Sequence, residues 1–327
     1  MKRFAFAAIT TAALGAFGVP AQATDWPSKP VRIVAPFSPG GSADTLGRVV
    51  SEQLSISLHQ QFIIENKPGA GGLIGAAMVA AAEPDGYSFV VSGIASHVIA
   101  PAINSSVSFD PIKSFTHVAY FGGPPIVVIA HPSLGVKSLK ELLTLAKAAR
   151  DPMGYVSPGA GTLGNLVAEY WARKENIKLE HIPYKGASQA VTDLVAGHVK
   201  LGSMTWTTAL GQIRAGTVIP LAVSSSKRVA EFPNVPTLKE LGYDDLVAVT
   251  WFSLSGPAGL PADITRKLNQ EVIKALETAA VRKRLDQEAI DTLKMSPEEF
   301  TAFVESENKK WGSIAKSVMP SSGASSR

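Results

Sequence analysis

The sequence predicts an α/β protein with two open, mostly parallel sheets joined by a hinge of two crossovers. Three observations carry this prediction. Short apolar runs alternate with helix-like patterns from about residue 31 to residue 223, and this order places helices on both faces of parallel sheets. The glycine- and proline-rich stretch 122–125 divides the alternation into two sets. The C-terminal part, from about residue 263, is helical in pattern.

The first 23 residues have the pattern of a secretory signal peptide. Lys2 and Arg3 precede the apolar stretch 4–19, and Ala21-Gln22-Ala23 supplies a small-x-small cleavage site. A membrane anchor is the alternative, but the apolar run is too short to favour it. We therefore expect cleavage after Ala23 and export to the periplasm.

In the first set, a strand at 31–35 leads into a helix whose apolar residues recur at helical spacing as far as Leu58. A strand at 62–64, a helix of small residues at 74–82 and a strand at 87–91 follow. This succession is typical of strands that lie side by side with helices between them.

The second set predicts strands and helices in the same alternation: strand 126–130, helix 138–150, strand 155–156, helix 162–174, strand 180–182, helix 187–196, and strands 199–201 and 221–223. The apolar run 247–254 then predicts a long buried strand. If this strand returns to the first sheet, the chain crosses twice and forms a hinge. We therefore expect domain 1 at 24–123 and 249–319, domain 2 at 124–248, and a disordered serine-rich tail at 320–327.

Two helices are predicted after this strand. The stretch 263–280 is amphipathic, and Ser296-Pro297-Glu298-Glu299 has the pattern of a helix N-terminus with a reciprocal glutamate. The apolar stripe of this last helix comprises Phe300, Phe303, Val304 and Trp311. We expect these side chains to belong to the core.

Composition excludes several functions. The 327 residues contain no cysteine, which excludes thiolate catalysis, thiolate metal sites and a lipidated cysteine. The formal charge is +4, and removal of Lys2 and Arg3 leaves +2. Because the basic residues are scattered, nucleic-acid binding is not expected. The six histidines form no H-x-x-x-H or H-x-H pair, so neither a metal nor another cofactor is predicted.

Three glycine-rich loops are the features that point to function. They are 38–44, 67–75 and 157–164, and each follows a predicted strand and opens a predicted helix. Such a loop exposes backbone N–H groups at the positive end of a helix dipole, which suits an anion. Three loops of this kind predict a protein that binds a small, negatively charged molecule.

Two other interpretations of these loops stay open. The third loop contains a G-x-G-x-x-G pattern at 159–164, with Glu180 further along, as in dinucleotide-binding proteins. Export argues against that interpretation. An exported hydrolase with Ser157 or Ser38 as nucleophile is the second alternative, although the sequence identifies no base for it and has no G-x-S-x-G motif.

Polar side chains near the loops are candidate ligand contacts. Serines at loop positions can donate hydrogen bonds to a carboxylate, although each alone is more typical of a helix cap. These serines are Ser38, Ser42, Ser92, Ser96 and Ser157. Asp44 lies in the first turn of its helix, where it either complements the dipole or accepts a hydrogen bond from the ligand or from a water.

The chain resembles the solute-binding proteins of tripartite tricarboxylate transporters, the Bug family. The resemblance runs from Trp26 to about Pro320 and rests on several ordered motifs. These are Pro36 to Asp44, Glu65 to Gly72, Ser157 to Thr162, Pro183 to Gly186, Asp193 to Val199, and Asn234 to Thr237.

The resemblance implies a two-domain receptor like the type II periplasmic binding proteins, which closes on a small organic carboxylate and delivers it to membrane permease subunits. It implies no catalytic residues, and a monomer is the usual state. By resemblance, one side of the site would consist of Ser38, Gly40, Gly41, Ser42, Asp44, Gly71 and Gly72. The other side would consist of Ser157, Gly161 and Thr162, with Tyr184 and Lys185 nearby.

Three positions depart from the family pattern. Asn165 stands where a histidine is frequent, and Lys200 stands where an acidic residue is usual. The segment 202–206 ends in Trp206, which would favour an aromatic carboxylate if it faced the cleft, although a core position is the more typical role. These departures leave the class of carboxylate open.

Overall fold

The computed structural model describes residues 26–319. The predicted signal peptide, 1–23, and the predicted tail, 320–327, lie outside these residues. The described chain forms two five-stranded sheets. Four strands in each sheet run in the same direction and one runs against them, so the mostly parallel fold class is confirmed.

The first sheet has the order β2-β1-β3-β10-β4. Its strands are β1 (Val31–Ala35), β2 (Phe62–Asn66), β3 (Ser88–Gly93), β4 (Phe115–Gly122) and β10 (Phe252–Pro257). Strand β10 is antiparallel to both of its neighbours. The late strand therefore returns to the first sheet.

The second sheet has the order β7-β6-β8-β5-β9. Its strands are β5 (Ile126–Ala130), β6 (Met153–Ser157), β7 (Leu179–Pro183), β8 (Leu201–Thr205) and β9 (Ile219–Val223). Strand β5 is the antiparallel one. The two sheets thus repeat one arrangement, in which the first strand after a crossover runs against the others.

Helices connect the strands. They are α1 (Ser42–Leu58), α2 (Leu73–Ala80), α3 (Ala100–Ile103), α4 (Leu139–Ala148), α5 (Leu163–Glu175), α6 (Ala187–Val195), α7 (Trp206–Arg214), α8 (Ala262–Glu277), α9 (Ala279–Gln287) and α10 (Pro297–Val318). A wide π turn, Ala95–Ile99, precedes α3. The sequence analysis missed β4, α3 and α7.

Three predicted elements differ from the structure. The strand expected at 199–201 lies later in the chain, at Leu201–Thr205 (β8). The strand expected at 247–254 begins at Phe252, because the preceding residues pair with the other crossover: the Thr250 N–H donates to Pro124 O at 2.8 Å. A side chain at Gly123 would place its Cβ 2.1 Å from Thr250 O, so only glycine fits there. The helix expected at 263–280 is two helices, since Thr278 between them has an extended backbone.

Helix α10 packs where the two sheets meet. Its predicted start is confirmed: Ser296 and Glu299 form a reciprocal capping box. Phe300 and Trp311 are buried in a core cluster that contains Tyr120 of the first sheet and residues of the second. This shared core joins the two halves at α10 and the crossovers.

Candidate functional site

The three glycine loops lie in the cleft between the two sheets, where the parallel strands end. The Oγ of Ser38, in the first loop, donates to Lys185 O across the cleft at 3.0 Å. Ser188 Oγ donates to Pro39 O, also at 3.0 Å. The Ser42 and Thr205 hydroxyls are 2.7 Å apart. The two halves are therefore in direct contact, and the cleft is closed.

Two glycines permit this close approach. Gly71 (φ +65°) lies against the third loop, where an added Cβ would be 2.6 Å from Ala160 O. Gly161 (φ +78°) lies against the other half, where an added Cβ would be 2.8 Å from that of Ala100. Both positions have a left-handed backbone and a close neighbour across the cleft. Glycine is therefore required there both for the backbone conformation and for the close approach of the two halves.

An inner cavity of about 40 Å³ lies between the halves. It could hold about three waters. None of the described residues that line it carries a charged side chain. They are Phe37, Gly41, Ser42, Ala43, Ala95, Ile126, Pro158, Thr162, Leu163, Gly164, Ala187, Thr205, Thr250 and Phe252.

Four helices point their N-termini at the inner cavity. Its lining includes the N-cap or first residues of α1 (Gly41), α5 (Thr162), α6 (Ala187) and α7 (Thr205). The N-terminus of each helix carries a partial positive charge and N–H groups without intrahelical partners. Four such ends around a cavity whose described lining has no charged side chain make this a candidate anion site.

Thr250 lines the same cavity on the hinge side. It is 8% exposed, and its hydroxyl has no hydrogen-bond partner among the described residues. Its backbone N–H is already bonded to Pro124 O. The hydroxyl is therefore a buried polar group without a partner among the described residues, and its oxygen is not exposed to the cavity.

An outer cavity of about 270 Å³ adjoins the inner one. Phe37 and Pro158 line both cavities and separate them. The remaining lining residues are Gly69, Ala70, Gly71, Gly159, Ala160, Pro183, Tyr184 and Lys185. A molecule whose anionic end occupies the inner cavity would thus extend between Phe37 and Pro158 towards Lys185.

Asp44 braces the first loop. Its carboxylate, 6% exposed as a side chain, accepts hydrogen bonds from the Gly40 N–H and from Arg48 and Asn66. Burial raises the pKa of Asp44, but these hydrogen bonds outweigh burial and hold it below its usual value. With its oxygens engaged, Asp44 stabilises the loop conformation.

Side chains stabilise the third loop by accepting hydrogen bonds from its backbone N–H groups. The fully buried Ser157 accepts a hydrogen bond from the Gly159 N–H and lies 2.7 Å from His181 Nε2. Asn165 accepts one from the Gly161 N–H at 3.1 Å. Burial lowers the pKa of His181 to about 4, so the imidazole is neutral at pH 7. Asn165, one of the departures from the family pattern, therefore fixes the loop backbone.

The remaining candidates lie outside the cavity linings. Ser92 is bonded to Ser253 and Ser255, within the first sheet. Ser96 bonds to its neighbour His97 and lies beneath Gly72. Trp206 is fully buried and packs edge-on against Phe232 in the core of the second sheet. Its position in the core agrees with the more typical of its two roles.

The predicted site residues thus fall into three groups. Gly41, Ser42 and Thr162 line the inner cavity, and Gly71, Tyr184 and Lys185 line the outer one. Loop contacts or braces around them come from Ser38, Gly40, Asp44, Gly72, Ser96, Ser157 and Gly161. Ser92 is in neither lining.

The predicted site residues include only three of the fourteen described residues that line the inner cavity. Ile126 and Phe252 begin the two antiparallel strands, and Thr205 ends β8. Antiparallel strands start at the edge where parallel strands end, so the first residue of each crossover strand belongs to the site. The antiparallel direction of β5 and β10 was the information needed to find Ile126 and Phe252.

The fold and the site define a receptor of two α/β halves with a closed cleft between them. The chain belongs to the family described as tripartite tricarboxylate transporter family receptor, whose model matches residues 46–319. It is 30% identical over 309 residues to Protein BugT of Bordetella pertussis, which covers 94% of each chain. The family predicted from the motifs is confirmed.

Solved structures agree with this assignment. A periplasmic binding protein, BugD, superposes with a TM-score of 0.85 at 30% identity, covering 90% of this chain and 98% of BugD. R. palustris Rpa4515 with adipate gives 0.85 at 29%, covering 90% and 98%. MatC of Rhodopseudomonas palustris with bound malate gives 0.84 at 29%, covering 89% and 100%.

These relatives decide between the predicted alternatives. The family consists of transport receptors, so the receptor interpretation is confirmed, and neither the hydrolase nor the dinucleotide interpretation is favoured. The Ser157–His181 pair has hydrolase-like spacing, but Ser157 is buried beneath its loop and braces Gly159. Among the described residues, no helix could cross a membrane.

Proposed function

We propose that this protein captures a small organic carboxylate between its two domains and delivers it to the permease subunits of a tripartite tricarboxylate transporter. One observation carries the proposal: four helix N-termini meet at a cavity whose described lining has no charged side chain. A carboxylate there is stabilised by dipoles from both halves at once. The adipate and malate bound in two relatives support this choice of anion.

The same proposal covers location and organisation. The protein acts in the periplasm as a monomer, after cleavage of residues 1–23. Domain 1 comprises 24–123 and 249–319, and domain 2 comprises 124–248. In this division the N-terminus of α1 belongs to domain 1, and the N-termini of α5, α6 and α7 belong to domain 2. Capture at the inner cavity therefore requires both domains.

The test is calorimetric titration of mature protein, from Thr24 onward, with succinate, glutarate, adipate, citrate and phenylacetate. Each acid is paired with its neutral amide, which has a similar shape without the charge. We expect at least one acid to bind with micromolar or tighter affinity and its amide not to bind. Equal affinity of acid and amide, or no binding by any acid, would refute the anion site.

A further inference from the structure

The third glycine loop is connected to one buried tyrosine that belongs to neither cavity lining. Tyr155 lies in β6, fully buried, and is not among the described residues that line the inner or the outer cavity. Its hydroxyl donates to Glu169 Oε1 at 2.6 Å and accepts from Asn165 Nδ2 at 2.7 Å. Asn165 Oδ1 in turn accepts from the Gly161 N–H at 3.1 Å. A chain of three hydrogen bonds therefore runs from the loop backbone to the Glu169 carboxylate on α5.

This chain of hydrogen bonds has one direction. A carboxylate only accepts hydrogen bonds, so the Tyr155 hydroxyl must donate to Glu169. Burial and the neighbouring carboxylate raise the pKa of Tyr155, so the hydroxyl keeps its proton. The phenol oxygen then accepts from the Asn165 amide nitrogen, which leaves the amide oxygen facing the Gly161 N–H. Tyr155 thus decides which end of the Asn165 amide meets the loop.

The ring of Tyr155 supports the other glycine N–H of the loop. It stacks on the His181 imidazole, with ring centroids 5.0 Å apart and 27° between the planes. His181 Nε2 lies 2.7 Å from Ser157 Oγ, which accepts from the Gly159 N–H at 3.1 Å. The hydroxyl and the ring of one residue are therefore connected to the backbone at both 159 and 161.

The position of this loop determines the geometry of the cleft. Gly161 lies against the other half, where an added Cβ would be 2.8 Å from that of Ala100. The next residues, 162–164, line the inner cavity at the N-terminus of α5. A small shift of the loop therefore changes both the contact between the halves and the cavity in which we propose that the carboxylate binds.

We propose that Tyr155 is a positioning residue for ligand capture, which holds the third loop in the conformation that closes on the ligand without touching the ligand itself. This rests on the proposed function, because it assumes that the ligand occupies the inner cavity. Glu169 acts through Tyr155 by setting the orientation of the Asn165 amide. Ligand affinity then depends on a carboxylate that lies outside both cavity linings.

The test compares Y155F with a matched variant, Y243F. Tyr243 is also buried, and its hydroxyl donates to Glu175 Oε1 on the same helix, α5, at 2.9 Å. Each variant loses one tyrosine–glutamate hydrogen bond, so both should have a lower melting temperature. For the acid that wild type binds most tightly, Y155F should raise Kd about tenfold, which corresponds to about 1.4 kcal/mol, and Y243F should leave Kd unchanged. Hydrogen exchange at the Gly161 N–H, measured by NMR without ligand, should be about tenfold faster in Y155F only.

A second variant, E169Q, tests the direction of the chain. A neutral amide can donate to the Tyr155 oxygen, so the Asn165 amide is no longer held with its oxygen towards Gly161. E169Q should therefore weaken binding by a factor similar to that of Y155F. The Y155F/E169Q double variant should bind no more weakly than Y155F, because both changes act through one chain.

Three results would count against this role. An unchanged Kd in Y155F, or an equal loss of affinity in Y243F, would overturn the role of Tyr155 in capture. Additive losses in the double variant would overturn the single chain. Unchanged exchange at Gly161 in Y155F would overturn the positioning of the loop, and this measurement needs no ligand. Failure of every acid to bind to wild type would instead refute the proposed function.

Discussion

Replacement of Gly161 by alanine should weaken ligand binding by preventing full closure. The new Cβ would be 2.8 Å from the Ala100 Cβ and 2.9 Å from its Cα, whereas carbon atoms prefer about 3.5–4.0 Å. Relief of this overlap requires the halves to separate by about 1 Å. Separation of that size breaks the cross-cleft hydrogen bonds Ser42–Thr205, Ser38–Lys185 and Ser188–Pro39.

The expected loss of ligand affinity follows from these three hydrogen bonds. Each contributes about 0.5–1.5 kcal/mol, so a loss of about 2 kcal/mol from the closed state is a moderate estimate for the three. Because ligand contacts from both halves require closure, this cost lowers the apparent affinity. We expect the dissociation constant to rise roughly thirtyfold, measured by calorimetry with the acid that wild type binds most tightly.

Gly135 is the matched control. Its backbone is equally left-handed (φ +75°), but no atom lies within 4 Å of an added Cβ. Gly135→Ala and Gly161→Ala should each lose about 1–2 kcal/mol of folding free energy through backbone strain, and their melting temperatures should fall by a few degrees. Only Gly161→Ala should lose affinity. A similar dissociation constant in the two variants would show that Gly161 does not control closure.

Three further changes test other parts of the site. Ser42→Ala removes the hydrogen bond to Thr205 and should weaken binding about fivefold, by calorimetry; unchanged affinity would contradict a closed ligand-bound cleft. Trp206→Phe should lower the melting temperature without altering the order in which acids bind, because this side chain is fully buried; a changed order would place it in the site. Asp44→Asn should destabilise the fold by about 1–3 kcal/mol. Since the folded pKa of Asp44 lies below its unfolded value, this difference should be full above about pH 5 and shrink as the pH falls through the folded pKa; a thermal melt series in which it stays constant down to pH 3 would refute the charge-based role.

The sequence was most informative where local chemistry decides the structure. Glycine loops, a proline at the first turn and a capping serine act over a few residues, so the positions of α1, α5 and α10 could be predicted from their starts. The return of β10 to the first sheet was also predictable, since a lone apolar strand after a complete second set needs a sheet to join. The first residue of β10 was not predictable, because the hydrogen bond between Thr250 and Pro124 depends on the position of the other crossover.

The inner cavity could not be assembled from the sequence for a related reason. Ser42 and Thr205 are 163 positions apart, and nothing near either residue indicates that they meet. Their contact depends on the angle between the two halves, which is set by packing around α10 and the crossovers. Braces such as Asp44 and Ser157 look like ligand contacts in the sequence because they occupy the same loops. Only the hydrogen-bond partners seen in the structure show whether such a side chain stabilises its loop or is free to contact a ligand.

The proposed anion site, whose described inner lining has no cationic side chain, also has a consequence for ligand release. An arginine on one domain would keep its attraction for a carboxylate after the cleft opened, and the ligand would leave slowly. Here the positive ends belong to α1 on one side and to α5, α6 and α7 on the other, and each dipole acts over little more than one helical turn. Opening therefore removes most of the stabilisation in one movement and admits water, which screens the rest. Under the proposed function, delivery to a permease gains from this arrangement, since any contact that separates the domains also releases the ligand.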